Sequence, residues 1–133
     1  MKKLRKKLIP IRTHANGDQQ NIEVLTVKGQ EGGPKVHIQA SVHGAEIQGN
    51  AVIYELLKIL KGRSFKGELV LIPCANPIGI NTKSGTTTQG RFNPVTGDNW
   101  NRNYVDLSGL PLEETNFDVQ NFAGDMVKKG IDP

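Results

Sequence analysis

The stretch Val36-His37-Ile38-Gln39-Ala40-Ser41-Val42-His43-Gly44-Ala45-Glu46 changes its periodicity within a few residues. Apolar residues at 36, 38, 40 and 42 alternate with period two, the mark of a strand buried on one face. From 46 to 62 the pattern becomes a broad helical stripe. Val52, Leu56, Ile59 and Leu60 recur at i, i+4, i+7 and i+8, Ile53 and Leu57 widen the stripe, and Gly62 ends it. His43 and Glu46 stand at this strand-to-helix junction. In open α/β sheets ligands collect at the carboxyl ends of strands, so a His-x-x-Glu here can form a site as well as a connection.

Upstream, residues 8–13 predict a strand, Asn16-Gly17-Asp18 a tight turn, and 22–27 a second strand, together an antiparallel hairpin. Gln30-Glu31-Gly32-Gly33-Pro34 breaks the chain before the strand at 35–42, which is apolar enough on one face to lie inside a sheet. Residues 66–75 form the next strand, and strand, helix, strand over 35–75 is a βαβ unit with parallel pairing and a right-handed crossover. Asn76-Pro77 ends it. From 78 to about 110 no periodicity persists, and a loop of that length in a compact domain is usually functional or mobile. Helical character returns over 112–129. The predicted fold is therefore α/β, a mixed sheet with an N-terminal antiparallel hairpin and a βαβ unit flanked by helices.

The 133 residues suffice for one domain but not for two. The net charge of +4 comes from one place: Lys2, Lys3, Arg5, Lys6 and Lys7 supply five of 17 basic residues, leaving 12 against 13 acids. Residues 1–7 read as a solvated basic arm and 8–133 as the domain. No aromatic platform accompanies the arm, which speaks against a nucleic-acid partner. Lys83-Ser84-Gly85 lacks the glycine spacing of a phosphate-binding loop. The single cysteine, Cys74, sits in an apolar run and reads as a small buried hydrophobe. No apolar leader or membrane span is apparent, so no membrane partner is expected, and a reducing, cytoplasmic location is the default expectation.

Two groups of residues can carry chemistry. His43 and Glu46, at i and i+3, reach the same side of a first helical turn, and both side-chain types bind zinc. Taken alone, the pair also suits a hydrogen-bonded histidine at a strand end followed by an acid stabilised by the helix dipole. The second group is Gly90-Arg91-Phe92 with Asn99-Trp100-Asn101-Arg102-Asn103-Tyr104. Guanidinium grips a carboxylate through two parallel hydrogen bonds, which suits an anionic substrate, although solvated loop arginines would look the same in sequence.

In combination and in order, His43-Gly44-Ala45-Glu46, Asn76-Pro77-Ile78-Gly79, Gly90-Arg91 and Asn101-Arg102 resemble the zinc carboxypeptidase superfamily. Within it they are most similar to the succinylglutamate desuccinylase/aspartoacylase-like deacylases. The resemblance covers about residues 35–105 and implies the N-terminal portion of a zinc-carboxypeptidase-like catalytic domain. It implies one Zn2+ with His43 and Glu46 as its first two ligands, and Arg91 polarising the substrate carbonyl. It also implies Asn101 and Arg102 binding the free carboxylate of a small N-acyl amino acid or peptide. The reaction implied is hydrolysis of an amide bond by a water that zinc activates.

The family's third ligand is a later histidine and its general base a still later glutamate. This chain has only His14, His37 and His43. His37 lies six residues before His43, roughly 20 Å away along an extended strand, and His14 sits beside a turn, so both read as structural. Glu113 and Glu114 fall near a helix start, where acids are favoured by the dipole. The expectation is an incomplete catalytic domain without activity of its own. The alternative is a noncatalytic module that holds anions through Arg91 and Arg102 or self-associates through an exposed sheet edge.

Overall fold

The computed structural model describes residues 4–104. The helix expected over 112–129, Glu113, Glu114 and the start of the basic arm lie outside the described residues. Four strands make the main sheet: β1 (Leu4–Thr13), β2 (Gln19–Lys28), β3 (Gln30–Gln39) and β4 (Lys66–Ile72). Helix α1 (Gln48–Leu60) joins β3 to β4. The sheet order is β1-β2-β4-β3, with β1/β2 and β2/β4 antiparallel and β3/β4 parallel. The hairpin, the βαβ unit and the mixed sheet are thus present, and most of the pairing is antiparallel.

β1 begins at Leu4, four residues before the expected start, with Leu4 opposite Val27 and Lys7 opposite Val24. Arg5, Lys6 and Lys7 therefore belong to a ladder and not to a frayed arm. The physical reason is position: β1 is an edge strand among the described residues, and lysines on an edge remain solvated while discouraging further pairing. Lys6 pairs with Glu23 on β2, and Tyr54 of α1 donates to the same carboxylate at 3.2 Å. Burial, followed by the charge of Glu23, raises the Tyr54 phenol above its usual range.

β3 also differs from expectation. It starts at Gln30, absorbs the Gly32-Gly33-Pro34 break as a register shift between Gln30 and Lys35, and ends at Gln39. Among the described residues it has a neighbouring strand on one side only, so it is an edge strand and not an interior one. Its side chains are correspondingly exposed or half-buried.

Strand alternation builds a core on each face of the sheet. On one face Leu25, Val27, Ala40 and Leu71 pack with Ile53 of α1, flanked by Leu56, Leu57 and Leu69. The helix presents Ile53, Leu56, Leu57 and Leu60, an i, i+3, i+4, i+7 seam. Val52 and Ile59, expected in the stripe, are 65% and 54% exposed. On the other face Ile9, Ile11, Ile22, Val24, Val70, Ile72 and Ala75 form a second core, against which Val42 and Ile78 pack. Cys74 is half-buried, and burial raises its thiol, so it packs as a neutral side chain.

The segment after β4 is more ordered than its lack of periodicity predicted. It holds a short helix, α2 (Pro77–Asn81), and a two-residue hairpin of β5 (Lys83–Ser84) with β6 (Thr87–Thr88). Elements of two to five residues are too short to leave a periodic trace. Among the described residues no helix is long and apolar enough to cross a membrane.

His37 on β3 gives the fold a pH dependence. Burial lowers its imidazole below the ordinary value of 6.5. The unfolded chain therefore binds the proton more readily, and this contribution to stability is complete above the unfolded pKa and lost as pH falls through the folded one. Denaturant midpoints measured across mildly acidic pH should fall on acidification, and His37→Gln should flatten that slope. An unchanged slope in the variant would assign the effect elsewhere.

Candidate functional site

The site forms where the two parallel strands end. Past β3 the backbone stays tied to the end of β4: Ala40 N–H donates to Ile72 O at 3.0 Å, and Ala75 N–H to Ala40 O at 2.8 Å. Ser41 then adopts a left-handed conformation, φ 54°, which turns the chain out of the sheet. That conformation costs a non-glycine residue about 1–2 kcal/mol. Ser41 Oγ donates to Asn50 Oδ1 on α1, an anchor that offsets the cost. Asn76, 2% exposed, holds the other side. Its Nδ2 donates to Val42 O at 2.9 Å, while its Oδ1 accepts from Gly79 N at 2.8 Å and caps α2.

His43 and Glu46 come together, but not on a helix turn. α1 begins only at Gln48, and a reverse turn closed by Glu46 N–H to His43 O at 3.1 Å sets their spacing. His43 Nδ1 lies 3.1 Å from Glu46 Oε1. The imidazole is nearly enclosed, at 6% side-chain exposure, whereas the carboxylate is 60% exposed and faces solvent.

Three glycines bring the arginine loop to this pair. Gly44 N–H donates to Gly90 O at 2.7 Å. A Cβ on Gly44 would lie 2.1 Å from the Gly79 carbonyl, and one on Gly90 would lie 2.2 Å from the same oxygen. Only side chains without a Cβ allow the turn after His43, helix α2 and the loop before Arg91 to touch backbone to backbone. Arg91 Nη1 consequently reaches to 3.5 Å from Glu46 Oε1.

The five residues Asn93-Pro94-Val95-Thr96-Gly97 that lengthen the interval from Arg91 to Asn101 fold out as a compact turn. Asn93 N–H donates to Asp98 O at 2.8 Å, Gly97 N–H donates to Asn93 O at 2.9 Å, and Phe92 bridges to Asn99. Arg91 and the Asn99-Trp100 pair are thereby adjacent, with Trp100 N–H donating to Arg91 O at 3.2 Å.

Asn99, to which the sequence reading gave no role, is at the centre. Its Oδ1 lies 2.8 Å from His43 Nε2 and accepts from Asn101 N–H at 2.9 Å. Asn101 Oδ1 accepts from the Tyr104 hydroxyl at 2.7 Å, and Arg102 Nη1 donates to Asn101 O at 2.6 Å. Asn101 and Arg102 are exposed.

Hydrogen-bond chemistry now fixes the histidine. A backbone N–H can only donate, so the atom of Asn99 facing Asn101 is an oxygen, and His43 Nε2 must carry the proton that meets it. In the neutral ring Nδ1 is then a lone pair directed at a carboxylate oxygen 3.1 Å away. A cation between the two atoms, or a second proton on the ring, would satisfy both. Among the described residues no third His, Cys, Asp or Glu joins them to make a group of three. His14 lies in the β1–β2 turn, with Arg12 Nη2 3.2 Å from its Nδ1, and His37 lies on β3.

A cluster of polar side chains at the strand ends of a mixed α/β sheet is where such folds place their ligand sites, and comparison with known proteins gives the family. The family model for the succinylglutamate desuccinylase/aspartoacylase catalytic domain matches residues 32–120. The chain belongs to the succinylglutamate desuccinylase/aspartoacylase family. A solved member from Shewanella amazonensis SB2B is 51% identical over 77% of this chain and 28% of its own, with a TM-score of 0.71. Another, from Shewanella frigidimarina NCIMB 400, is 44% identical over 94% of this chain and 32% of its own, with a TM-score of 0.72. A more distant structure from Rhodobacter sphaeroides, 24% identical with a TM-score of 0.54, shares the fold. The chain thus spans about a third or less of the length of these solved relatives. A search of curated proteins gave no match.

Proposed function

We propose that the chain is the first part of a zinc-dependent deacylase domain that hydrolyses the amide bond of a small N-acyl amino acid. The observation that carries this reading is the convergence of His43 Nδ1 and Glu46 Oε1, 3.1 Å apart at the end of a parallel strand. An imidazole lone pair and a carboxylate converging at a partly open position fit one zinc ion, with His43 and Glu46 as its first two ligands. When bound, zinc would supply Lewis acidity, polarising a carbonyl and bringing the pKa of water to about 7.

The other residues divide the remaining work. Arg91 lies beside Glu46 with its guanidinium half exposed, and it would meet charge that develops on the scissile carbonyl oxygen. Asn101 and Arg102, exposed on the neighbouring loop, would grip the free carboxylate of the substrate. The chain contains no histidine after His43. The third ligand and the general base are therefore assigned to sequence beyond this chain, and the 133 residues alone are assigned no hydrolytic activity. A cytoplasmic location belongs to the same proposal.

Zinc titration of the chain by calorimetry, with N-acetyl and N-succinyl amino acids as substrates, tests it. Weak binding that disappears in His43→Ala, with no hydrolysis, is expected. Tight one-to-one binding with turnover would overturn the incomplete-site assignment. Binding indifferent to His43 would overturn the ligand assignment.

A further inference from the structure

We infer that the free edge of β3 and the apolar flank of α1 beside it form one docking surface, and that its occupant is a second copy of this chain paired about a two-fold axis. Among the described residues β3 has a neighbour on one side only, so one row of its backbone N–H and C=O groups is open to another strand. The open stretch has fixed limits. Pro34 and the register shift before Lys35 interrupt it at one end, and Ser41 turns the chain out of the sheet at the other. Residues 35–39 remain, with His37 at their middle. The opposite edge, β1, carries Arg5, Lys6 and Lys7, which discourage pairing there.

The helix adds an apolar wall above this edge. At 3.6 residues per turn, Val52 and Ile59 share one side of α1, and Tyr54 lies roughly 200° round from Val52. Tyr54 reaches Glu23 on β2, and Ile53 between them points into the core, so Val52 and Ile59 look the other way, over the edge of β3. Both are more than half exposed. Val36, 39% exposed, shares a face of β3 with Ile38, which packs against the core under the helix. Val36, Val52 and Ile59 thus line a trough between helix and edge, a contiguous patch of the kind that marks an interface.

A second copy fits because the surface is symmetric about one point. In a two-fold contact residue i meets j while j meets i. Antiparallel pairing of β3 with its copy, centred on His37, sets Val36 against the partner's Ile38 and Ile38 against the partner's Val36, all on the helix side. On α1 the midpoint between Val52 and Ile59 lies about six and a half residues past Gly49, roughly 10 Å along the axis. Gly49 is level with Ala40, since a Cβ on it would lie 2.8 Å from the Ala40 Cβ. The helix runs back along β3, and roughly 10 Å is about three strand residues, which brings its midpoint level with His37. One axis therefore serves strand and helix, and Val36, Ile38, Val52 and Ile59 of both copies close a single trough. The His43–Glu46 clusters fall at opposite ends of the joined sheet, so the association does not depend on the zinc reading.

Sedimentation equilibrium of the 133-residue chain over a concentration series tests the association. The weight-average mass should rise from one chain to two and stop there. Val52→Lys alters a side chain that is 65% exposed, so unfolding should be unaffected. The dimer dissociation constant should nevertheless rise at least about tenfold, because the exchange occurs twice across the axis. Oxidative crosslinking in a Cys74→Ala background checks the register. His37→Cys should give a disulfide-linked dimer, since directly opposed residues of antiparallel strands have Cα atoms roughly 4.5–5.5 Å apart. Lys35→Cys should not link to itself but should link to Gln39→Cys when the two are mixed, and the mixture decides the register if His37→Cys fails to fold. A chain that stays monomeric at every concentration means that another segment covers the edge, and overturns the inference. Growth beyond two chains, a dimer that Val52→Lys leaves unchanged, or self-linking of Lys35→Cys would overturn it as well.

Discussion

Gly90→Ala should destabilise the chain by about 2–6 kcal/mol, the sum of a strained backbone and an overpacked contact. Gly90 has φ +50°, and its new Cβ would sit 2.2 Å from Gly79 O and 2.7 Å from Gly44 Cα. Backbone atoms cannot rotate aside as a side chain would, so the loop must move. Moving it breaks the Gly44 N–H to Gly90 O bond and carries Arg91 away from Glu46. Gly85→Ala separates the two causes. Gly85 has a similar φ of +58° but nothing within 4 Å of its would-be Cβ, so its substitution should cost only the strain of about 1–2 kcal/mol. Urea unfolding of both variants measures the difference. Equal losses would show that the three-glycine contact adds nothing beyond conformation.

That contact also explains why part of the site was hidden in the sequence. Residues 22–27 and 66–72 and the helix after Glu46 were legible, because burial imposes a period that survives in the residue pattern. The lysines of β1 obscured a strand, since an edge position accepts charges that an interior one would refuse. Gly44, Gly79 and Gly90 each look like ordinary loop residues, and their close approach joins segments 35 and 11 residues apart that share no local pattern. His43, Glu46, Arg91, Asn101 and Arg102 could be singled out by residue type and order. The structure places His43 and Arg91 each within reach of Glu46, and links Asn101 to His43 through Asn99. Asn99 escaped because an uncharged amide is common in turns for backbone reasons. Its role exists only through a neighbour 56 residues away.

Glu46→Gln should divide metal binding from stability in opposite directions. In the metal-free chain, with His43 neutral and its proton on Nε2, the carboxylate oxygen faces a bare Nδ1 at 3.1 Å, acceptor against acceptor. A glutamine can turn its NH2 group to donate to that nitrogen, replacing a repulsion by a hydrogen bond. Because residue 46 is 60% exposed on its side chain, the gain is limited to about 1 kcal/mol or less. The same change removes an anionic ligand and ties up the nitrogen that would serve as the other. Zinc affinity should therefore fall by more than about 100-fold, beyond the range for losing a partner that merely orients a ligand. Arg91 gives an independent sign, since the 3.5 Å contact of its guanidinium with Glu46 loses its charge partner and the arginine becomes freer to meet an added carboxylate. Denaturation with and without zinc reads both effects at once. Wild type should gain stability with zinc, by about 2.7 kcal/mol at a hundredfold excess over its dissociation constant, whereas the variant should start level or higher and not respond. A variant that responds to zinc as wild type does would remove Glu46 from the ligand set. One that is clearly less stable without metal would mean that His43 already carries a second proton, and that an ion pair with Glu46 holds this turn together.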